Sequence, residues 1–600
     1  MTEYDFGPRI AGEAVHFRLW APLQAEVFLA IEGGETVPMM RFDDGWHRCE
    51  IEGATPGTAY SFILQDGVSV PDPASRYQPR DVHGPSEVVD PNGFQWKTGN
   101  WSGRSLEDLV LYELHVGAFT PEGTFAAAID RLDHLKSLGV TGIQIMPIAD
   151  FPGRRGWGYD GVLPYAPDSS YGRPEELKRL VDEAHARDIC VFLDVVYNHF
   201  GPDGNYLPLM APLFTDHHKT PWGNAVNYDG EGSRLIREFV VQNAIYWISE
   251  FRFDGLRLDA VHAIKDGSKE HLLHELARRV RSAAGERKIH LVVENEDNDA
   301  SLLVRDDEGR PRFYSAQWND DVHHVLHVAA TGETFGYYAD YADEPEKIGR
   351  GLAEGFVFQG EHMPYRGDER GTISKHLPPS AFISFIQNHD QIGNRALGDR
   401  MVASRPVAVL QAIACVYLLC PQVPMIFMGE EWGAEEPFPY FCDFNDDLNE
   451  KVRSGRRQEL SRLPGFDADD LPDPTAEATF ASAKLDWTKR ETDRGRQWLE
   501  FYRGLIALRR KHIAPMATGA TVSGRYRASN GGGLKVEWQL FDGRKLQLRA
   551  NLSEQADKTD EAAADEQIFF QFGSFVSGQL APWSVVWSLV SSPQVPNMQE

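Results

Sequence analysis

From Leu111 onward, short apolar runs alternate with longer segments of helical period, and this alternation excludes most folds. It is the pattern of βα units, in which each crossover helix returns the chain so that the next strand runs parallel to the last. Eight strands are predicted: Leu111 to Val116, Gly142 to Met146, Ile189 to Val195, Gly255 to Leu258, Ile289 to Val293, Phe313 to Ala316, Phe382 to Ile386 and Val423 to Met428. Eight such units close into a (β/α)8 TIM barrel. The first helix is the clearest. Phe125, Ile129, Leu132, Leu135 and Leu138 recur every three or four residues, with Thr124 and Gly139 as caps. A second helix is predicted near Leu235 to Glu250.

On either side of this region the period changes to two. Val15 to Trp20, Val27 to Ile31 and Tyr60 to Leu64 alternate between Gly- and Pro-containing turns, which predicts an amino-terminal β-sandwich over residues 1–95 and a linker over 96–110. The barrel is expected to span 111–516, with an irregular insertion around 200–232 that is rich in Gly, Pro, Asn and His. Long insertions after a strand are usually functional. Alternation returns in Leu534 to Leu540, followed by an Asp542-Gly543 turn and then Leu546 and Leu548, so residues 517–600 are expected to form a second β-sandwich.

Bulk properties narrow the partners. The net charge of −29 argues against a nucleic-acid partner, since such proteins gain affinity from a basic face. No stretch approaches the roughly 18 consecutive apolar residues of a membrane span. The start, MTEYDFGPRIAGEAVHF, has no basic segment followed by an apolar run, so cytoplasmic residence is expected. Cys49, Cys190, Cys415, Cys420 and Cys442 are odd in number and lack CxxC spacing, which predicts neither a disulfide framework nor a zinc site; Cys190 and Cys415 read as buried free thiols. No Gly-rich phosphate loop, HExxH or GxSxG motif is present, and no cofactor is implied.

In a barrel of this kind, chemistry collects where the strands end. The third strand ends in Asp194-Val195-Val196-Tyr197-Asn198-His199 and the fourth in Arg257-Leu258-Asp259-Ala260-Val261-His262. The fifth ends in Glu294-Asn295-Glu296 and the seventh in Gln387-Asn388-His389-Asp390. A lone strand-end carboxylate is ordinarily solvated or a cap, but four converging segments are not explained that way. The same reading makes Glu430 and Glu431, after the eighth strand, solvated loop carboxylates, and leaves Trp222, Trp318 and Trp432 open between packing and sugar platforms.

These four segments resemble the four short sequence regions of the α-amylase family of glycoside hydrolases. The resemblance implies a retaining α-glucoside hydrolase in which Asp259 attacks the anomeric carbon, Glu294 is general acid and base, and Asp390 binds the hydroxyls of the distorted sugar. It implies sugar contacts for His199, His389 and Tyr159, the last in Trp157-Gly158-Tyr159-Asp160. Retention needs two carboxyl groups about 5 to 5.5 Å apart, one ionised and one protonated. Arg257, two residues before Asp259 on the same strand face, suits the ionised partner. Asp194 is read as orienting Arg257. Glu294 has no positive neighbour in sequence, and Glu296 is its rival. A calcium ion, held by parts of the family, is left open.

Within the family, several segments resemble the trehalose-releasing members: Asp72 to Arg76, YELHVG from Tyr112, QWNDD from Gln317, QNHDQIGN from Gln387 and MGEEWG from Met428. An amino-terminal sandwich of carbohydrate-binding, E-set type fits the same branch. The implied reaction is hydrolysis of the α-1,4 bond next to the terminal trehalose of a maltooligosyltrehalose. The alternatives are a glycogen branching enzyme, which carries an SHDE-type region where this chain has NHDQIGN, and a silent binding relative, which would normally have lost a carboxylate.

Overall fold

The computed structural model describes residues 4–342, 345–460, 471–517, 524–529 and 531–591. Eight parallel strands close into a barrel in chain order: β1 (Leu111–Leu114), β2 (Gly142–Ile145), β3 (Cys190–Val195), β4 (Gly255–Leu258), β5 (His290–Val293), β6 (Ala316–Trp318), β7 (Phe382–Ser384) and β8 (Val423–Phe427). The sixth is displaced from the predicted Phe313 to Ala316. Phe313 and Tyr314 are apolar but belong to helix packing. The Phe313 ring stacks on His274 at 4.0 Å, and the Tyr314 hydroxyl donates to the Leu273 carbonyl at 2.9 Å, so both dock on the helix Leu272–Ala284 before the strand begins.

Side-chain parity divides the barrel interior into layers. Leu111, Phe192, Val292, Ile383 and Met425 cluster as an apolar floor. Alternate residues point the same way along a strand, so two positions above Leu111 comes Glu113, above Phe192 comes Asp194, and above Val292 comes Glu294. Gly255 makes the floor possible, because a Cβ there would lie 2.4 Å from the Phe192 ring; its own next inward position is Arg257. One strand period therefore separates a dry floor from a polar ceiling.

The first predicted helix exists but turns at Asp130–Arg131 into two pieces, Phe125–Ile129 and Leu132–Leu138, with the Arg131 guanidinium 4.5 Å over the Trp487 ring. The Thr124 hydroxyl caps it by accepting from the Ala127 amide, and Gly139 ends it at φ 102°. The helix expected near Leu235 spans Ser233–Ser249. The insertion after β3 is more regular than predicted, with a two-stranded hairpin, Phe214–Thr220 and Gly223–Val226, that carries Trp222 at its turn.

Flanking antiparallel sheets complete the molecule. Two of them, including Ala14–Trp20, Trp46–Glu52, Val27–Ile31 and Ala59–Leu64, enclose Phe17, Leu29 and Phe62. After the helix Asp493–His512 a five-stranded sheet contains the predicted hairpin, Gly533–Gln539 paired with Lys545–Asn551. It docks on the barrel through the Trp587 indole N–H, which donates to the Cys415 carbonyl at 2.9 Å. Residues 518–523 and 592–600 of the predicted second sandwich lie outside the described residues. Cys190 and Cys415 are buried free thiols, and among the described residues no helix is long and apolar enough to cross a membrane.

The stripe of the first helix is a direct test of this packing. Leu135→Ala, at a side chain with 0% exposure, is expected to cost about 2–5 kcal/mol and lower the thermal midpoint without changing the far-ultraviolet dichroism of the folded protein.

Candidate active site

Strand register assembles the site. Asp194 pairs with Arg257 across β3 and β4, and Leu258 pairs with Val293 across β4 and β5. The next residues, Asp259 and Glu294, therefore stand side by side at adjacent strand ends. The Asp259 amide donates to the Val195 carbonyl and the Glu294 amide to the Leu258 carbonyl, each at 3.0 Å, so the ladder continues to these two positions.

Arg257 sits at the centre with no exposure. Its Nη1 donates to both Asp194 oxygens at 2.9 and 2.8 Å and to Asp259 Oδ1 at 2.8 Å. Its Nη2 lies 3.1 Å from Glu294 Oε2, an ion pair without hydrogen-bond alignment. The Trp318 ring covers the guanidinium from 4.2 Å, a cation–π contact that offsets part of its lost hydration. Burial opposes the charge on Arg257, but Asp194 and the other surrounding acids outweigh it and hold the pKa well above its ordinary value. Glu294 thus has the positive neighbour that linear sequence did not reveal, supplied across the β4–β5 register.

Glu294 is nonetheless set apart from Asp259. Burial pushes its pKa well up, Arg257 pulls against this, and Asp259 and Asp390 push the same way as burial. Its Oε2 also accepts from the Ala260 amide at 2.8 Å. Ala260 reaches this position at φ 39°, a left-handed conformation that costs a non-glycine residue about 1–3 kcal/mol and is usually retained where geometry matters. The rival Glu296 points elsewhere, with a side chain 67% exposed and its nearest ionic partner, His262, at 3.6 Å.

The other expected residues surround this pair. Asp259 Oδ2 accepts from Asn198 Nδ2 at 2.8 Å, so both of its oxygens are held. The Tyr159 hydroxyl lies 2.9 Å from Asp194 Oδ2 and 2.8 Å from His389 Nε2, and the Tyr159 and His389 rings stack at 5.2 Å. His199 bonds through Nε2 to the Tyr159 carbonyl at 2.9 Å and stacks on Trp222 at 4.6 Å. Burial lowers the His199 pKa despite the nearby Asp259 charge, which favours a neutral imidazole. Asp390, its side chain 36% exposed, sits on the short helix His389–Gly393 that Asn388 caps. Burial alone would raise it, but His389 3.4 Å away outweighs that and holds the carboxyl below its usual range.

Four residues escaped the sequence reading or were misread. Asn198 lay inside a quoted motif without a role. Asp320 follows β6 by two residues and faces the carboxyl groups; burial, opposed by Arg370 and reinforced by Asp390, pushes its pKa up to about 7. Placing β6 three residues early hid that Asp320 is a strand-end acid. Glu430 and Glu431 are not solvated. Gly429 and Gly433, both left-handed, fold their turn inward, where Glu431 accepts from the Tyr112 hydroxyl at 3.2 Å and pairs with His134 at 2.9 Å, and Glu430 accepts from Tyr502 at 2.9 Å. Of the three tryptophans, Trp318 and Trp432 are buried packing residues, whereas Trp222 is 50% exposed.

Strand-end carboxyl groups gathered around one guanidinium in a closed (β/α)8 barrel place the chain in the α-amylase class of glycoside hydrolases, and a model of the alpha amylase catalytic domain matches residues 85–208. A domain of unknown function matches residues 522–587. The chain is 42% identical to the malto-oligosyltrehalose trehalohydrolase of Saccharolobus solfataricus, covering 84% of this chain and 87% of that one. It is 43% identical to the Deinococcus radiodurans protein of the same name, covering 85% and 83%. A Salmonella typhimurium crystal structure provisionally assigned as an alpha amylase superposes with TM-score 0.94 at 44% identity, covering 98% of this chain and all of that one. The chain belongs to the malto-oligosyltrehalose trehalohydrolase family.

Gly158 tests how tightly Tyr159 must be held. It has φ 96°, and a Cβ there would lie 2.0 Å from the Pro147 carbonyl oxygen. Gly158→Ala is expected to displace Tyr159, lower kcat/KM about tenfold or more and reduce the thermal midpoint, measured by steady-state kinetics and a melting curve on the same sample.

Proposed function

We propose that this chain hydrolyses the α-1,4 bond next to the terminal trehalose of a maltooligosyltrehalose with retention at the anomeric carbon, releasing trehalose and a maltooligosaccharide. The observation that carries the mechanism is the single buried guanidinium of Arg257, bonded to Asp259 and in contact with Glu294. Glu294 donates its proton to the glycosidic oxygen as Asp259 Oδ attacks the anomeric carbon; the C–O bond to trehalose breaks and a glycosyl ester forms. Glu294, now a carboxylate, takes a proton from water. The hydroxide portion attacks the anomeric carbon, the ester C–O bond breaks, and the Asp259 carboxylate and protonated Glu294 are regenerated.

Each surrounding group has a task in this scheme. Arg257 and Asn198 hold the two Asp259 oxygens in line. Asp390 meets hydroxyls of the distorted sugar with the fully buried His389 behind it, and Tyr159 lies under its apolar face. His199, stacked on Trp222, lines the same cleft. Trehalose differs from maltose in its α,α-1,1 linkage, so specificity falls to loops that leave a maltose leaving group with unpaired polar atoms. We also assign the reaction to the cytoplasm, a setting that suits five unpaired thiols.

Product analysis tests the proposal. Purified protein given maltooligosyltrehalose, a maltooligosaccharide of matching length and amylose in separate tubes is expected to release free trehalose from the first and to act slowly or not at all on the others. New α-1,6 branches on amylose would make it a branching enzyme instead. Proton NMR of the first-formed maltooligosaccharide should show the α-anomer, and the β-anomer would overturn the retaining mechanism. Asp259→Asn and Glu294→Gln are each expected to reduce turnover by several orders of magnitude while leaving the melting curve cooperative.

A further inference from the structure

Glu113, on β1, is a carboxylate with no exposure that the mechanism above does not use. Its Oε1 lies 2.7 Å from His389 Nδ1, and its Oε2 accepts from the His389 backbone amide at 3.1 Å, so both oxygens serve one residue. His389 is equally buried. An unmatched charge in either would cost several kcal/mol, so the pair must agree in charge and in donors.

The bonds beyond His389 have a direction that can be worked out. Arg257 has only donors, so Asp194 accepts from it. Burial pushes the Asp194 pKa up to about 7 and Arg257, bonded to both of its oxygens, pulls the other way; as the carboxylate it has no hydrogen to give, so the Tyr159 hydroxyl, 2.9 Å away, donates to Asp194. That hydroxyl has one hydrogen, so towards His389 Nε2 at 2.8 Å it can only accept, which requires a proton on Nε2. With Nδ1–H donating to Glu113, the imidazole carries both protons.

We propose that Glu113 is a positioning residue for the reaction assigned above: it holds His389 as an imidazolium, which orients the Tyr159 hydroxyl and keeps Asp390 ionised under the sugar. The charged and titratable groups facing His389 are Glu113 from β1, Asp390 on its own turn, Tyr159 and Asp194, with Arg257 beyond Asp194 and His115 just after β1. Burial holds the His115 pKa down to about 4, so it adds no competing cation near neutrality. Burial pulls His389 down as well, but Asp390 and Glu113 outweigh it and hold its pKa well above the usual value.

The test is Glu113→Gln, which keeps the size and one acceptor for Nδ1–H but removes the charge. His389 would then lose its Nε2 proton near neutrality, so activity should fall as pH rises through its lowered pKa. Asp390, without a cation beside it, should become easier to protonate, so the acid limb should move to higher pH. The bell of kcat/KM is therefore expected to narrow from both sides, with a loss of about tenfold or more at its centre. A bell of unchanged position, whether at full or reduced height, would reduce Glu113 to a structural role and overturn the proposal. Nitrogen-15 histidine NMR of the full chain gives a second reading that does not depend on the reaction. Two protonated ring nitrogens on His389 at pH 7 in the wild type, with the signal assigned through its loss in His389→Gln, are expected; a singly protonated ring overturns the proposal even if the Glu113 variant fails to fold. Absence of trehalose release by the wild type would refute the assigned reaction and leave this reading to stand or fall on its own.

Discussion

A guanidinium buried at the heart of a barrel is the constraint on which the rest of the site depends. Removing Arg257 from water costs several kcal/mol, and the cost is offset only by groups brought to it: Asp194 and Asp259 by hydrogen bonds, Glu294 by contact and Trp318 by its ring face. Once Asp194 and Asp259 have met that charge, a further anion packed against them is unfavourable. Burial, reinforced by Asp259 and Asp390, drives Glu294 to hold a proton against the pull of Arg257, and in the proposed mechanism this sets the acid apart from the nucleophile.

Such a cluster needs a rigid surround, because one slipped side chain would leave a buried charge unpaired. The surround is visible on every side. Asn198 fixes the second oxygen of Asp259, Ala260 is held in a strained turn that aims its amide at Glu294, and Gly158 brings Tyr159 close beneath β2. After the eighth strand, Glu430 and Glu431 are tied to Tyr112, Tyr502 and His134, so that turn is itself anchored by matched polar groups. The apolar floor of Phe192, Val292 and Met425 supports this belt from below and excludes water from it.

What the sequence made legible follows from the range over which each signal acts. Strand parity and helix period are local, so the barrel strands other than β6 and the capped first helix could be read directly. The misplacement of β6 came from Phe313 and Tyr314, whose apolarity is used against a helix and not in the sheet. That error concealed Asp320. The ion pair between Arg257 and Glu294 was invisible for a different reason: it arises from pairing of β4 with β5, and no spacing along the chain encodes a cross-strand neighbour. Glu430 and Glu431 were misread because a charged turn is solvated unless distant partners exist, and Tyr112 and His134 lie some 300 positions earlier.

The concentration of acid in the cleft also has a chemical logic that net charge alone does not show. The substrate is neutral, so a chain of charge −29 gains little in binding it by electrostatic attraction. The transition state is different, because the ring carbon and oxygen acquire positive, oxocarbenium-like charge as the glycosidic bond opens. In the proposed mechanism Asp259 and Asp390 lie where that charge develops, in a largely buried site where fixed charges act strongly. An unrelieved group of carboxylates would take up protons and lose this effect. In the proposed mechanism Arg257, bonded to Asp259, and His389, 3.4 Å from Asp390, each set a cation beside one of these carboxylates, and the developing charge on the sugar adds a second as the bond breaks.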